Sequence, residues 1–164
     1  LLESKNSLLK VDLVDCDIDA ADIFFKFKAL RYLALTGCKK ISFDNVVKNN
    51  SLRFIDLREI PLKTLRWLNS IKGIEIICVT SAGRIDTLSN IKSQDSIIGL
   101  LIAGNTVIED GDLSNLETFK NVRNCFIVDR KHYNLKSTES WNWKNFNLPK
   151  KELFKFKRVP KKSI

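Results

Sequence analysis

The sequence predicts an α/β fold: a right-handed superhelical solenoid. A parallel β-sheet lines its concave side, short 3₁₀ or α returns lie on its convex side, and a cap closes its C-terminal end. Three observations predict it. An apolar pattern with positions 0, 3 and 5 filled recurs from starts at 8, 30, 52, 74, 97 and 122, so the spacings are 22, 22, 22, 23 and 25 residues. The segments between the patterns carry apolar residues at every third position, the spacing of a short helical turn that buries one stripe. Finally, 44% of the 164 residues are hydrophobic, enough for one sizeable core.

The elements follow in order. Leu8-x-x-Val11-x-Leu13-x-x-Cys16 opens the series, and Leu30-x-x-Leu33-x-Leu35-x-x-Cys38 is its best-formed member. Leu52-x-x-Ile55-x-Leu57-x-x-Ile60, Ile74-x-x-Ile77-x-Val79-x-x-Ala82 and Ile97-x-x-Leu100-x-Ile102-x-x-Asn105 continue it. Val122-x-x-Cys125-x-Ile127-x-x-Arg130 is a degenerate sixth. Each is read as a short strand and a turn. The returns are Phe24-x-x-Phe27, Phe43-x-x-Val46, Leu65-x-x-Leu68-x-x-Ile71, Leu88-x-x-Ile91 and Leu113-x-x-Leu116-x-x-Phe119. One unit cannot bury its apolar side alone, but stacked units share a continuous core. Residues 1–135 are assigned to the repeats and 136–164 to a cap and basic tail. Trp141, Trp143, Phe146 and Leu148 are expected to cover the last repeat.

These motifs resemble the leucine-rich repeat family, in its 22-residue class, known from bacterial internalins and a regulatory subunit of protein phosphatase 1. The resemblance covers roughly residues 8–135. It implies a solenoid that binds proteins. The family places Asn at offset 8, where its amide bonds neighbouring turns. Here that column reads Cys16, Cys38, Ile60, Ala82, Asn105 and Arg130. Ile, Ala and Arg are not expected to build that ladder, so irregular turns are expected at 60, 82 and 130.

The charge of +9 is concentrated at the end. Residues 144–164 hold eight basic residues and one acid, +7, which leaves +2 for the first 143. The tail residues Lys150, Lys151, Lys155, Lys157 and Arg158 offer electrostatic contact with nucleic acid, acidic lipid or an acidic protein. A solvated terminus is the plainer reading. No run of about eighteen apolar residues exists, so no transmembrane helix is expected. The first residues lack the features of a signal peptide. With the cysteines read as free, a cytoplasmic location is expected. The chain holds no Met, even at position 1, and so reads as a processed or excised piece.

Enzyme signatures are sparse. The six glycines form no phosphate loop, and His132 is the single histidine, which removes most triads and two-His metal motifs. Neither a catalytic residue, nor a metal, nor a cofactor is expected. Cys16 and Cys38 fall in the turn column, Cys125 faces inward and Cys78 outward, with no C-x-x-C pair. A Cys16–Cys38 bridge is the rival to four free thiols. The acids Asp12, Asp15, Asp17, Asp19 and Asp22 lack the glycine and terminal Glu of a calcium loop and are read as turn and helix-start residues. The sequon Asn49-Asn50-Ser51 matters only in a secreted protein.

The informative surface is the outward sheet face, made by offsets 2, 4 and 6 because strand side chains alternate. Tyr32, Phe54, Ile76, Leu101, Phe126 and Val128 form an apolar band there, with Arg31, Arg53, Asp56, Arg58 and Glu75 beside it. Aromatic anchors flanked by Arg and acids suit a protein interface. Partner-binding residues are expected to be Tyr32, Phe54, Ile76, Leu101 and Phe126, oriented by Arg53, Asp56 and Arg58. The occupant is another protein, the chain's own tail at 153–159, or a second copy in a homodimer. Two other functions remain open: a stoichiometric inhibitor or immunity protein of a toxin or nuclease, and nucleic-acid binding through the tail.

Overall fold

Short Leu-, Ile- and Val-rich stretches recur between polar turns, and each becomes a strand of one sheet. The computed structural model describes residues 7–92 and 94–135. The expected cap and basic tail, Lys150, Lys151, Lys155, Lys157 and Arg158 included, lie outside them.

The main strands are β1 (Lys10–Val14), β2 (Tyr32–Thr36), β3 (Phe54–Arg58) and β4 (Ile76–Thr80). After β4 comes the short β5 (Arg84–Ile85), then β6 (Gly99–Ala103), the short β7 (Val107–Ile108) and β8 (Asn124–Ile127). Six of them form a parallel sheet in chain order, β1-β2-β3-β4-β6-β8. The fold is therefore α/β with few helical residues. Each main strand begins two residues after its apolar pattern starts, so the sequence period sets the register. Lys10, Tyr32, Phe54, Ile76, Gly99 and Asn124 lie side by side across the sheet. The short strands β5 and β7 pair separately, in parallel.

Between strands the chain returns by one helical turn. The α-helix α1 (Asp22–Phe25) buries Phe24 and Phe25. The 3₁₀ turns Arg66–Ser70 and Ser114–Thr118 bury Trp67, Leu68 and Leu116. Inward strand residues and return residues meet in one core, where Leu33, Leu35, Ile55, Leu57, Leu65 and Leu68 lose all contact with solvent. In the first unit Leu8, Val11, Leu13, Cys16 and Ile18 are only partly buried, because among the described residues no strand precedes β1.

The turns correct an expectation. Asp15, Gly37, Glu59, Ser81 and Gly104 all occupy offset 7, and all have left-handed backbone with φ between 52° and 68°. Each of the first four also donates its N–H to the next strand's last carbonyl, as from Glu59 to Thr80 at 2.9 Å. The turns before Ile60 and Ala82 are thus regular. Backbone bonds sustain them, and Ile60 and Ala82 fill the core. Asn105 is exposed, and its neighbour Thr106 is buried instead, its Oγ1 accepting the Ala82 N–H at 3.0 Å. Arg130 reaches the preceding turn after all: its Nη2 donates to the carbonyls of Gly104 at 2.8 Å and Thr106 at 3.3 Å.

The amide ladder sought after the strands is found on the returns. Asn49 is buried. Its Nδ2 donates to Phe25 O at 2.9 Å, and its Oδ1 accepts the N–H groups of Ser51 and Leu52, both at 2.9 Å. Asn69 donates to Asn90 O and accepts from Lys92 N–H. Asn115 donates to Leu88 O and Ile91 O, and Gln94 to Leu68 O. Each amide ties one unit to the one before or after it. The sequon asparagine is therefore a structural side chain in the folded protein, with no room for a glycan.

Candidate protein-binding face

Alternation along each strand sends offsets 2, 4 and 6 to the outward face, and the parallel register lines them up in three rows. The first row runs Lys10, Tyr32, Phe54, Ile76, Gly99, Asn124. Tyr32 and Phe54 stack with ring centroids 4.6 Å apart and planes 5° from parallel. Lys10 Nζ lies 4.6 Å from the Tyr32 centroid, a cation–π contact on the ring's other side. Ile76 continues the apolar run, and Gly99 ends it by presenting no side chain.

The second row runs Asp12, Ala34, Asp56, Cys78, Leu101, Phe126. Its centre is covered: Ala34, Asp56 and Cys78 are 6–7% exposed. The large side chains of the first row and Arg58 from the third account for this. Asp56 accepts from Arg58 Nε at 3.0 and 3.1 Å and from Arg58 Nη2 at 2.7 Å. A buried carboxylate is tolerable when held in this two-pronged manner. The bond to Asp56 raises the Arg58 pKa further above its ordinary value.

Of the expected binding residues, the structure brings Tyr32, Phe54 and Ile76 into one half-buried strip, with Leu101 and Phe126 half-buried in the adjacent row. Asp56 differs from expectation. It is a buried anchor for Arg58, not an exposed orienting group, whereas the Arg58 side chain is 56% exposed. Arg53 sits at the margin, just before β3. It faces Glu75 at 3.5 Å and donates to the carbonyls of Asn50 and Leu52.

Cys78 lies in the outward row as expected but is not accessible. Burial, then the Asp56 charge, pushes its thiol from 9.0 up to about 12. Burial likewise pushes Cys125 to about 12. Tyr32 also rises to about 12, through burial and then the charges of Asp56 and Asp12. All four cysteines are free thiols, so no Cys16–Cys38 bridge forms. The Cys78 and Cys125 thiols stay protonated in the folded state above the pH where the unfolded chain ionises. Unfolding stability is therefore expected to fall as pH rises from about 9 towards 12, by about 1.4 kcal/mol per unit for each thiol. Urea melts of the wild type and of Cys78→Ala/Cys125→Ala across this range check it, because the double variant is expected to show the shallower slope.

His132 is exposed and sits in the final described turn, its Nε2 2.9 Å from Ile108 O. The neighbouring Tyr133 is buried, and its hydroxyl accepts the Ile108 N–H at 2.9 Å. Sequence reasoning passed over Tyr133 because it stands outside the repeated pattern. Among the described residues no group of three or more His, Cys, Asp or Glu is placed to hold a metal. No described helix is long and apolar enough to cross a membrane. An open groove of about 690 Å³ lies on the returns, lined by Phe43, Val46, Leu62, Lys63, Trp67 and Lys92 among others, and not on the sheet face. The face offers breadth and not a cleft, which suits a macromolecular surface better than a small molecule.

Comparison of the chain with protein-family models, with curated proteins and with solved structures finds no match.

Proposed function

We propose that this chain is a leucine-rich-repeat solenoid that binds another protein through the outward face of its sheet and catalyses no reaction. The solenoid reading is supported by six parallel strands in chain order at the repeat spacing. The binding reading is carried by one observation. Register aligns the stacked Tyr32–Phe54 pair with Ile76, beside Leu101 and Phe126, around an Arg58 held outward by a buried Asp56. Pre-organised aromatic and Arg side chains lose little conformational freedom on binding, so they make effective anchors.

The inhibitor reading gains nothing from the face. A nuclease inhibitor needs acids that imitate phosphate, yet Asp12, Asp56 and Glu75 each face a Lys or Arg, namely Lys10, Arg58 and Arg53. The test is affinity capture by the wild-type chain and by Phe54→Asp/Leu101→Asp, with circular dichroism to verify folding. The double variant is expected to lose the captured partner.

A further inference from the structure

On the return side, the short stretches that follow the turns are tied to one another by backbone bonds. Ser42 N–H donates to Asp19 O, and Ser42 O accepts from Ala21 N–H, both at 2.8 Å. Leu62 N–H donates to Ala82 O at 3.0 Å, Asp86 N–H donates to Lys63 O at 2.8 Å, and β5 pairs with β7. Between the second and third units these ties stop. Among the described residues no backbone hydrogen bond joins residues 41–46 to residues 61–67, and the N–H groups of Phe43 and Lys63 have no acceptor there. Pro61 has no N–H to offer. Phe43 instead stacks on Trp67 with ring centroids 4.5 Å apart. The open groove of about 690 Å³ lies in this break and is lined by residues of both units.

The groove is cationic. Lys63, Arg66 and Lys92 line it and are exposed, and among the described residues none of their side chains forms a salt bridge or a hydrogen bond. Asp44 is the one acid in the lining, and its carboxylate accepts the Ser42 hydroxyl at 2.7 Å. Three cations less one acid leave a charge of +2 around the groove. We infer that this groove is a second docking site, separate from the sheet face, for an extended acidic peptide segment of a partner protein. Alternation in such a segment sends acids to one side and apolar side chains to the other. The acids meet Lys63 and Arg66, and the apolar side chains meet Val46, Leu62 and the Phe43–Trp67 pair. Its carbonyls supply acceptors for the N–H groups of Phe43 and Lys63, as a peptide does when it adds to a sheet edge.

The same observations disfavour other occupants. Phe43 and Trp67 are 6% and 7% exposed and stack on each other, so neither offers an open ring face to a nucleic-acid base. An open groove leaves much of a small molecule in water, whereas a peptide gains contacts along its length. The chain's own residues 144–164 carry +7 and are repelled by the groove's cations.

Amide NMR titration of the full chain tests this with a capped pentapeptide that alternates glutamate with leucine. The peptide is expected to shift the Phe43 and Lys63 amides and the Trp67 indole N–H, with a Kd of about 1 mM or tighter. Binding is expected to weaken as salt is added. Lys63→Glu/Arg66→Glu changes two exposed side chains and is expected to weaken it at least tenfold. The same variant is expected to bind the peptide made with lysine in place of glutamate, which the wild type refuses. Circular dichroism verifies that the variant is folded. A wild type that does not respond, as it would if another part of the chain filled the groove, overturns the inference. So do shifts of these signals with protein concentration alone, which would mark a second copy as the occupant. A peptide with glutamine for glutamate that binds equally well overturns it, as does a thymidine oligonucleotide that binds the groove more tightly. A folded charge-reversed variant that ignores the lysine peptide also counts against it. Phe54→Asp/Leu101→Asp lies on the sheet face and is expected to bind the peptide as the wild type does, which separates this test from that of the binding face.

Discussion

Leu57→Ala is expected to lower unfolding stability by about 3–5 kcal/mol, the cost of an unrelaxed cavity in a close-packed core. Leu57 is fully buried in β3, between Leu35 and Val79 of the flanking strands. Those neighbours belong to sheet strands that hold their positions through backbone bonds, so the cavity cannot collapse. The same truncation in the first unit is expected to cost much less. Leu13 is only partly buried, and Leu13→Ala should cost about 1–2 kcal/mol. Urea unfolding of both variants measures the contrast. Equal losses would mean that the first unit is packed as tightly as the third. For a domain whose whole stability is of order 5–15 kcal/mol, Leu57→Ala should leave a visibly fragile protein.

Asn49→Ala is expected to cost about 2–4 kcal/mol, although the residue has no apolar surface to lose. Its Oδ1 is the acceptor for the buried N–H groups of Ser51 and Leu52, and its Nδ2 bonds Phe25 O in the preceding return. Alanine leaves those groups without partners, at about 1–3 kcal/mol for each buried group left unsatisfied. Asn49→Asp keeps the acceptor and loses the donor, so an intermediate loss is expected. An unfolding midpoint that shifts while the slope against urea stays constant identifies the effect as stability and not as changed compactness. If Asn49→Ala melts like the wild type, the amide is not what ties the second return to the first.

Most of the sheet was legible in the sequence, because one rule generates it. A strand follows each apolar pattern by two residues, and a near-constant spacing makes neighbouring strands register. The same rule placed Tyr32, Phe54, Ile76, Leu101 and Phe126 on one face. Three features escaped it, each for a physical reason. The left-handed turn residues include Asp15, Glu59 and Ser81 as well as glycines, so no single residue type marks the column. The amide ties depend on side-chain reach between returns, and Asn49, Asn69, Gln94 and Asn115 share no fixed offset in the sequence. The burial of Asp56 and Cys78 results from large side chains in adjoining rows covering the middle one, which alternation alone does not reveal. The expectation that Asp56 stands open to a partner failed for that reason. Its contribution is indirect, through the orientation of Arg58.

The most direct measurement of the central claim compares affinity capture by four forms of the full chain. These are the wild type, Phe54→Asp/Leu101→Asp on the sheet face, Arg58→Ala on the same face, and Ile23→Asp/Val47→Asp on the exposed returns. The account predicts that the face variants lose the partner, with Arg58→Ala weakened at least tenfold, while the return variant captures it as the wild type does. A partner retained by both folded face variants, or lost by the return variant alone, would contradict it.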